Sequence, residues 1–197
     1  WTDLSRENLF PYEISKTKAE LFLWEYIESL DKKDRIEVCA INPVLVVGPS
    51  LSDSISISNK VTLKKMLNGS IPFTPKLSVS VVDVEDVAWA HVKAMKEENA
   101  AGKRFLLSEK TMWLSDISKI LYENGFKKVP RYDAPNWLLK FLSIFISSLR
   151  LTLGRLGEKE ILHTNNAKNI LKWHPNTVDR AIIESAKQLH DQNSITK

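Results

Sequence analysis

Residues 11–43, PYEISKTKAELFLWEYIESLDKKDRIEVCAINP, decide the fold class, because a helix pattern is followed directly by a strand pattern. Between Pro11, which suits a first helical turn, and Leu30, apolar residues recur three and four positions apart. This spacing predicts a helix with one buried face, made of Ala19, Phe22, Leu23, Tyr26, Ile27 and Leu30. After a polar turn at 31–35, the apolar run 38–41 predicts a buried strand, which ends at Asn42-Pro43 because proline has no N–H to donate.

The same alternation continues through the first half of the chain. Helices are predicted at 59–67, stopped by Gly69, and at 86–96, where His91 is placed on the apolar side. Short strands are predicted at 79–82 and 104–107. Alternating strands and helices indicate an α/β protein.

From Ser115 onward the signals are mainly helical. Ser115 is predicted to cap a helix that Gly125 ends, Pro135 to open an apolar helix, and Thr177 to cap a last helix that runs to about residue 192. We therefore expect an α/β part over residues 1–110 and a mainly helical portion over residues 111–197.

Composition excludes several classes of protein. The chain has 197 residues and a formal net charge of +4, with its cations scattered rather than gathered in the basic stripe that binding to nucleic acid requires. The single cysteine, Cys39, excludes an intrachain disulfide and a zinc site built on paired thiolates, and it fits a reducing, cytoplasmic compartment. The four histidines have no metal-ligand spacing, so no metal is expected. The first residues lack the basic and apolar regions of a signal peptide, so none is expected.

The longest apolar stretch, residues 137–149, has 13 residues, fewer than the ~20 that a membrane-spanning helix needs. Three interpretations stay open at this point: a buried or half-buried helix, an interfacial membrane helix, and an oligomer contact.

Tyr12 and Lys16 are the residues whose spacing points to chemistry. They are four positions apart on the first predicted helix, so their side chains share one face. A neighbouring ammonium favours the phenolate form of a tyrosine, which makes the phenol a usable proton donor or acceptor. Taken alone, the same spacing also fits a surface tyrosine packed on a lysine stem.

Four stretches together resemble the extended short-chain dehydrogenase/reductases, in particular the branch of dihydroflavonol reductases and related ketone and aldehyde reductases. Residues 12–20, YEISKTKAE, resemble that family's active-site helix, and residues 41–49, INPVLVVGP, its strand and loop beside the nicotinamide. Residues 82–91 resemble the next strand-to-helix corner, and residues 101–105 the strand after it. Weaker likeness continues through 166–168 and 173–175 and so covers nearly the whole chain.

The resemblance implies roles for individual residues. Tyr12 would pass a proton to or from the substrate oxygen, and Lys16 would hold the nicotinamide ribose hydroxyls and favour the ionised form of Tyr12. Pro43 and Val46 would line the nicotinamide carboxamide through backbone groups, and Ser58 stands where relatives bind a cofactor phosphate. The cofactor implied is NADP or NAD. Asp83 and Asp86, by contrast, stand where a strand meets a helix, so we expect capping and dipole roles for them.

The family's glycine-rich loop, which lets a backbone approach the cofactor pyrophosphate, is not found in this sequence. The family's serine or threonine upstream of the tyrosine also has no confident counterpart, since Thr2 and Ser5 lie too close to Tyr12. We therefore expect the chain to be the C-terminal portion of a longer enzyme, without the N-terminal Gly-rich half.

The resulting hypothesis is an NAD(P)-dependent oxidoreductase that interconverts an alcohol and a ketone or aldehyde, with a rather hydrophobic small-molecule substrate bound by the helical portion. The alternatives are a sugar-nucleotide epimerase or dehydratase of the same superfamily, and a non-catalytic remnant that acts as a binding protein. A homodimer is possible, because dimers through helices are common among the relatives.

Overall fold

The computed structural model describes residues 1–6, 9–51, 63–145, 150 and 153–191. Within these ranges, helices alternate with short strands over the first half of the chain and predominate in the second. The predicted α/β class is therefore confirmed.

The strands form two small sheets. β1 (Ala40–Pro43) pairs in parallel with β4 (Arg104–Leu107). β2 (Leu45–Val47) pairs in parallel with β3 (Ser78–Asp83), whose other edge pairs antiparallel with β5 (Lys110–Trp113). Because only Val44 separates β1 from β2, the chain passes from one sheet to the other at that residue.

The α-helices whose two ends lie within the described residues are α1 (Pro11–Ser29), α2 (Val84–Lys96), α3 (Leu114–Glu123), α4 (Asn136–Leu142), α5 (Asn165–Asn169) and α6 (Val178–Asp191). Residues 63–67 are also helical, and a 3-10 turn spans Glu98–Ala100. The helix at 59–67 is thus observed over its described part, and Gly69 follows it with φ +75°.

Two hydrophobic cores hold these elements together. In the first, Val47 and Val81 of the three-stranded sheet meet Ile117 of α3 and Ile182 of α6. In the second, Phe105 and Leu107 of β4 pack with Ala90 of α2 and with Ala167, Leu171 and Trp173 of the α5 region. Apolar burial of this kind supplies most of the favourable free energy of folding.

The structure corrects the predicted burial of α1. Within the helix only Thr17 is buried, whereas Phe22 and Tyr26 are 68% and 53% exposed and Ala19 is also exposed. Leu23, Ile27 and Leu30 are only half-buried. The periodicity correctly predicted a helix, but helical spacing alone does not show that a packing partner is present.

Local predictions for β1, Ser115 and His91 were also wrong. β1 begins at Ala40 rather than at residue 38 and includes Pro43, and its side chains are only half-buried or exposed. β5 was not among the predicted strands. Ser115 lies inside α3, where Asp116 instead accepts the backbone N–H of Trp113 at 2.9 Å. His91 is exposed, and its Nδ1 lies 2.7 Å from the Val87 carbonyl.

The apolar stretch at 137–149 is helical over α4, and its residues 146–149 lie outside the described part of the chain. Leu139 is buried, while Trp137 and Phe141 on the opposite side are exposed, so this helix is half-buried. Among the described residues, no helix combines the length and the apolar character that crossing a bilayer requires.

Candidate active site

Tyr12 and Lys16 lie one turn apart near the start of α1. Pro11 is the first helical residue, and the Glu13 side chain accepts the N–H of Phe10 at 2.8 Å, which fixes this helix end. Both side chains are exposed, Tyr12 by 70%, and the Lys16 Nζ lies 5.5 Å from the centre of the Tyr12 ring. The phenol and the ammonium are therefore adjacent and open to a ligand.

Glu20 ties this face of α1 to the parallel pair of β1 and β4. Its carboxylate accepts two hydrogen bonds from Arg104, from Nε at 2.5 Å and from Nη2 at 2.9 Å. The Asn42 amide also points to it, at 3.3 and 3.4 Å. Tyr12, Lys16 and Glu20 are spaced four residues apart and share a face, so the Tyr12–Lys16 pair lies on the side of α1 that is joined to the end of β1.

A second ion pair holds the beginning of α1. The Arg155 guanidinium donates to both carboxylate oxygens of Glu13, at 2.8 and 2.7 Å, and stacks over the Phe10 ring at 4.7 Å. Such two-pronged pairs combine directional hydrogen bonds with charge attraction. Together the two pairs orient the helix that carries Tyr12.

The electrostatics of both glutamates follow from these contacts. Partial burial alone would raise the pKa of Glu20, but the hydrogen bonds from Arg104, Trp24 and Asn42 lower it below its ordinary value. Partial burial would also raise the pKa of Glu13, but the hydrogen bonds from Arg155 and from the Phe10 N–H lower it below its ordinary value. Both carboxylates are therefore charged at neutral pH, and their positions serve to anchor α1.

A cavity of about 970 Å³ opens beside this anchor. Glu13, Asn42 and Arg104 line one part of it, and Arg155 and His163 line another. Neither Tyr12 nor Lys16 lines it, and Glu13 is the α1 residue that reaches its wall. Its walls also include apolar side chains, namely Trp1, Leu9, Leu106, Ile161 and Leu162.

The other predicted cofactor-binding residues lie in different settings. Pro43 is the exposed last residue of β1 and directly follows Asn42, which contacts Glu20. Val46 lies in the middle of β2, opposite Val82, and its side chain packs against the second core. Ser58 lies outside the described residues.

The two aspartates at the start of α2 have structural partners. Asp83 caps the helix, since its Oδ1 accepts the Glu85 N–H at 3.0 Å, as predicted. Asp86 is buried, and its carboxylate accepts the backbone N–H of Asn176 at 2.9 Å and its side-chain amide at 3.2 Å. Burial raises the pKa of Asp86. Among the described residues, no three His, Cys, Asp or Glu side chains gather as metal ligands.

Sequence reasoning missed the glutamates and arginines that position α1. Glu20 lies in the stretch 12–20 and follows Lys16 by four residues, as Lys16 follows Tyr12. This spacing could have indicated that Glu20 lies on the same side of α1 as the pair. No local pattern indicated Arg104 or Arg155, because these residues are 84 and 142 positions away in the sequence from the glutamates that they bind. The arrangement places a phenol as proton donor or acceptor beside a cation that can bind hydroxyl groups.

No protein-family profile matches the chain. A cinnamoyl-CoA reductase of Medicago truncatula is 34% identical over 119 residues, which are 60% of this chain and 34% of that enzyme. Yeast methylglyoxal/isovaleraldehyde reductase complexed with NADPH superposes with a TM-score of 0.61 at 23% identity, over 91% of this chain and 54% of that one. A nucleoside-diphosphate-sugar epimerase from Pseudomonas aeruginosa superposes with a TM-score of 0.71 at 14% identity, over 97% of this chain and 58% of that one.

These structural similarities show that the chain has part of a Rossmann-type α/β fold. The chain spans about a third of the length of the curated relatives it matches and somewhat more than half of the length of the solved structures.

Proposed function

We propose that the chain belongs to the extended short-chain dehydrogenase/reductase superfamily and is the C-terminal portion of an NAD(P)-dependent oxidoreductase that interconverts an alcohol and a ketone or aldehyde. The observation that carries this proposal is the exposed Tyr12–Lys16 pair on the helix face tied to the end of β1. The relatives named above as reductases support the reaction class.

The residues present fit the nicotinamide-ribose end of the cofactor, NADP or NAD. The Lys16 ammonium donates hydrogen bonds and suits ribose hydroxyls, and it is exposed beside the Tyr12 phenol. We assign the carboxamide to backbone groups at Pro43 and Val46, and a cofactor phosphate to Ser58. The sequence holds no glycine-rich turn of the kind that approaches a cofactor pyrophosphate.

When bound, NAD(P) supplies or accepts the hydride at the substrate carbon. Tyr12 gives its hydroxyl proton to the carbonyl oxygen in reduction and takes a proton from the alcohol in oxidation. The Lys16 ammonium, whose Nζ lies 5.5 Å from the centre of the Tyr12 ring, places a positive charge near the phenol while this proton moves. The Glu20–Arg104 and Glu13–Arg155 pairs hold the helix in place while the proton moves.

We assign residues 1–110 to the remainder of the dinucleotide-binding domain and residues 111–197 to a substrate-binding portion. The cavity supports this division, since Glu13 and Asn42 line it from the first and Arg155 and His163 from the second. Most of its wall residues are polar or charged, and its apolar ones, Leu106, Ile161 and Leu162 among them, offer a local contact surface for the proposed small hydrophobic substrate.

The proposal also includes an oligomeric state and a compartment, namely a homodimer in the cytoplasm. The exposed aromatic side chains Phe22 and Tyr26 on α1 support pairing of two copies through this helix. The single, half-buried Cys39 suits a reducing compartment.

A second candidate is a sugar-nucleotide epimerase or dehydratase, favoured by the likeness to the Pseudomonas epimerase. Product analysis separates the two functions. The longest natural form of the protein is incubated with NADPH or NADH and either aromatic and aliphatic carbonyl compounds or sugar nucleotides. Alcohol formed in step with cofactor oxidation supports the reductase, and an altered sugar with no net cofactor consumption supports the epimerase. Turnover of neither class would support a non-catalytic binding protein.

A further inference from the structure

The exposed side of α4 and of the turn after it forms an apolar stripe. Trp137, Phe141, Ile144 and Phe145 are 70%, 55%, 63% and 73% exposed. Their spacing of three and four residues places them on one side, opposite the buried Leu139. Phe141 and Phe145 meet edge to face at 5.6 Å, so these two rings form one continuous part of the stripe. We call these four residues, with the exposed Lys140 at their edge, the α4 face.

The segment of the sequence that contains the α4 face has a positive net charge. Residues 126–150 hold five Lys or Arg side chains and one Asp, so this segment alone has the +4 of the whole chain. The one carboxylate, Asp133, accepts a hydrogen bond from the Thr74 hydroxyl at 2.8 Å. Residues 134–157 contain no Asp or Glu at all.

The cations lie where they can flank the stripe. Arg150 donates to the carbonyls of Ser143 at 3.1 Å and of Ile144 at 3.3 Å, so its guanidinium sits beside the end of the α4 face. Lys140 is exposed at the edge, where a long apolar stem can lie along the stripe while its ammonium stays in the polar layer.

This combination selects the kind of partner. A helix side with Trp and Phe between Lys and Arg suits the boundary between lipid headgroups and acyl chains, and the cations are attracted to anionic headgroups. A second copy pairing through the same face would bring Lys140 and Arg150 of both copies together with no carboxylate from 134–157 to balance them. We propose that the α4 face docks the protein on an anionic lipid bilayer surface. This surface binding is independent of the reductase proposal.

Vesicle flotation tests this proposal. The longest natural form of the protein is mixed with vesicles of phosphatidylcholine containing phosphatidylserine, and with vesicles of phosphatidylcholine alone. We expect binding to the anionic vesicles that weakens as salt is raised. Ile144→Glu should weaken it about tenfold or more, because an apolar anchor is replaced by a charge repelled by the headgroups. Lys140→Glu should weaken binding to the anionic vesicles about tenfold.

Ile36→Glu is the matched control, since Ile36 has the same side chain, is 68% exposed and lies in the loop between α1 and β1. It should bind vesicles like the unaltered protein. Equal binding by Ile144→Glu and Ile36→Glu, or equal binding to both kinds of vesicle, would overturn the proposal. So would a protein that ignores vesicles but forms a dimer that Ile144→Glu alone dissociates, because a second copy would then cover the α4 face.

Discussion

At the scale of single residues, the proposed mechanism gives Lys16 a role that Lys18, two positions on, does not share. Lys16 lies 5.5 Å from the Tyr12 ring, and the equally exposed Lys18 is on another side of α1. Lys16→Met should raise the cofactor KM and lower kcat by about 10- to 1,000-fold, since the proposed ribose contact and the positive charge beside the Tyr12 phenol are both lost. Steady-state kinetics of Lys18→Met provides the control. An unchanged cofactor KM and kcat in both variants would contradict the assignment of Lys16 to the active site.

Gly48 carries a structural constraint at the end of β2. Its φ is +135°, and a Cβ there would overlap the Val84 side chain, while its N–H donates to the Ser185 hydroxyl at 2.7 Å. Gly48→Ala should therefore lower the free energy of unfolding by about 2–5 kcal/mol. Gly102→Ala, also at positive φ but with nothing within 4 Å of the added Cβ, should cost about 1 kcal/mol. Urea denaturation compares them, and equal losses would refute the steric argument.

At the scale of elements, α1 is held mainly by charge. The pKa values of Glu13 and Glu20 are lowered in the folded protein, so their contribution is complete above the ordinary glutamate pKa and is lost as the pH falls through the folded values. We expect α1 to lose hydrogen-exchange protection first when the pH is lowered toward about 4. Protection of α1 that does not depend on pH would contradict this.

The variant Glu20→Gln isolates one of these anchors. At neutral pH it should reduce the protection of α1 by about 1–3 kcal/mol and flatten its pH dependence, whereas Glu28→Gln, on the same helix and exposed, should do neither. Burial raises the pKa of Asp86 and Glu109, so acid relieves the cost of their buried charge and acts in the opposite direction. Both lie outside α1, so exchange measured in α1 separates the two effects.

Elements with local signals could be predicted and those that depend on distant partners could not. α2, β3 and β4 were predicted to within two residues, because their periodicity and caps lie inside the element. β5 has four residues with a lysine at one end and forms only by pairing antiparallel with β3, which no local pattern announces.

The candidate site divides in the same way. The Tyr12–Lys16 pair could be found because its spacing is that of one helical turn. The arginines that orient α1 could not, since Arg104 and Arg155 reach it across 84 and 142 residues. The wrong prediction for the burial of α1 has the same origin, because a helix pattern does not say what packs against it.

At the scale of the whole molecule, the last helix belongs to the first core. Ile182 of α6 is fully buried with Val47 and Val81 of the three-stranded sheet. Ile182→Ala should lower the free energy of unfolding by about 2–5 kcal/mol, because it leaves a cavity between helix and sheet. Ile161→Ala, at a position that is 83% exposed, should change it by less than about 0.5 kcal/mol. A small effect of Ile182→Ala in thermal or denaturant unfolding would mean that α6 does not pack on the sheet.

The most direct test of the account is the turnover of Tyr12→Phe, measured in the longest natural form with the carbonyl substrate that the product analysis selects. Tyr26→Phe is the control, since it removes the same hydroxyl from another exposed tyrosine of α1. We predict that Tyr12→Phe keeps the fold and loses about 100- to 10,000-fold in kcat, while Tyr26→Phe keeps its activity. Equal turnover by Tyr12→Phe and the unaltered protein would contradict the assignment of Tyr12 as the acid and base of the reaction.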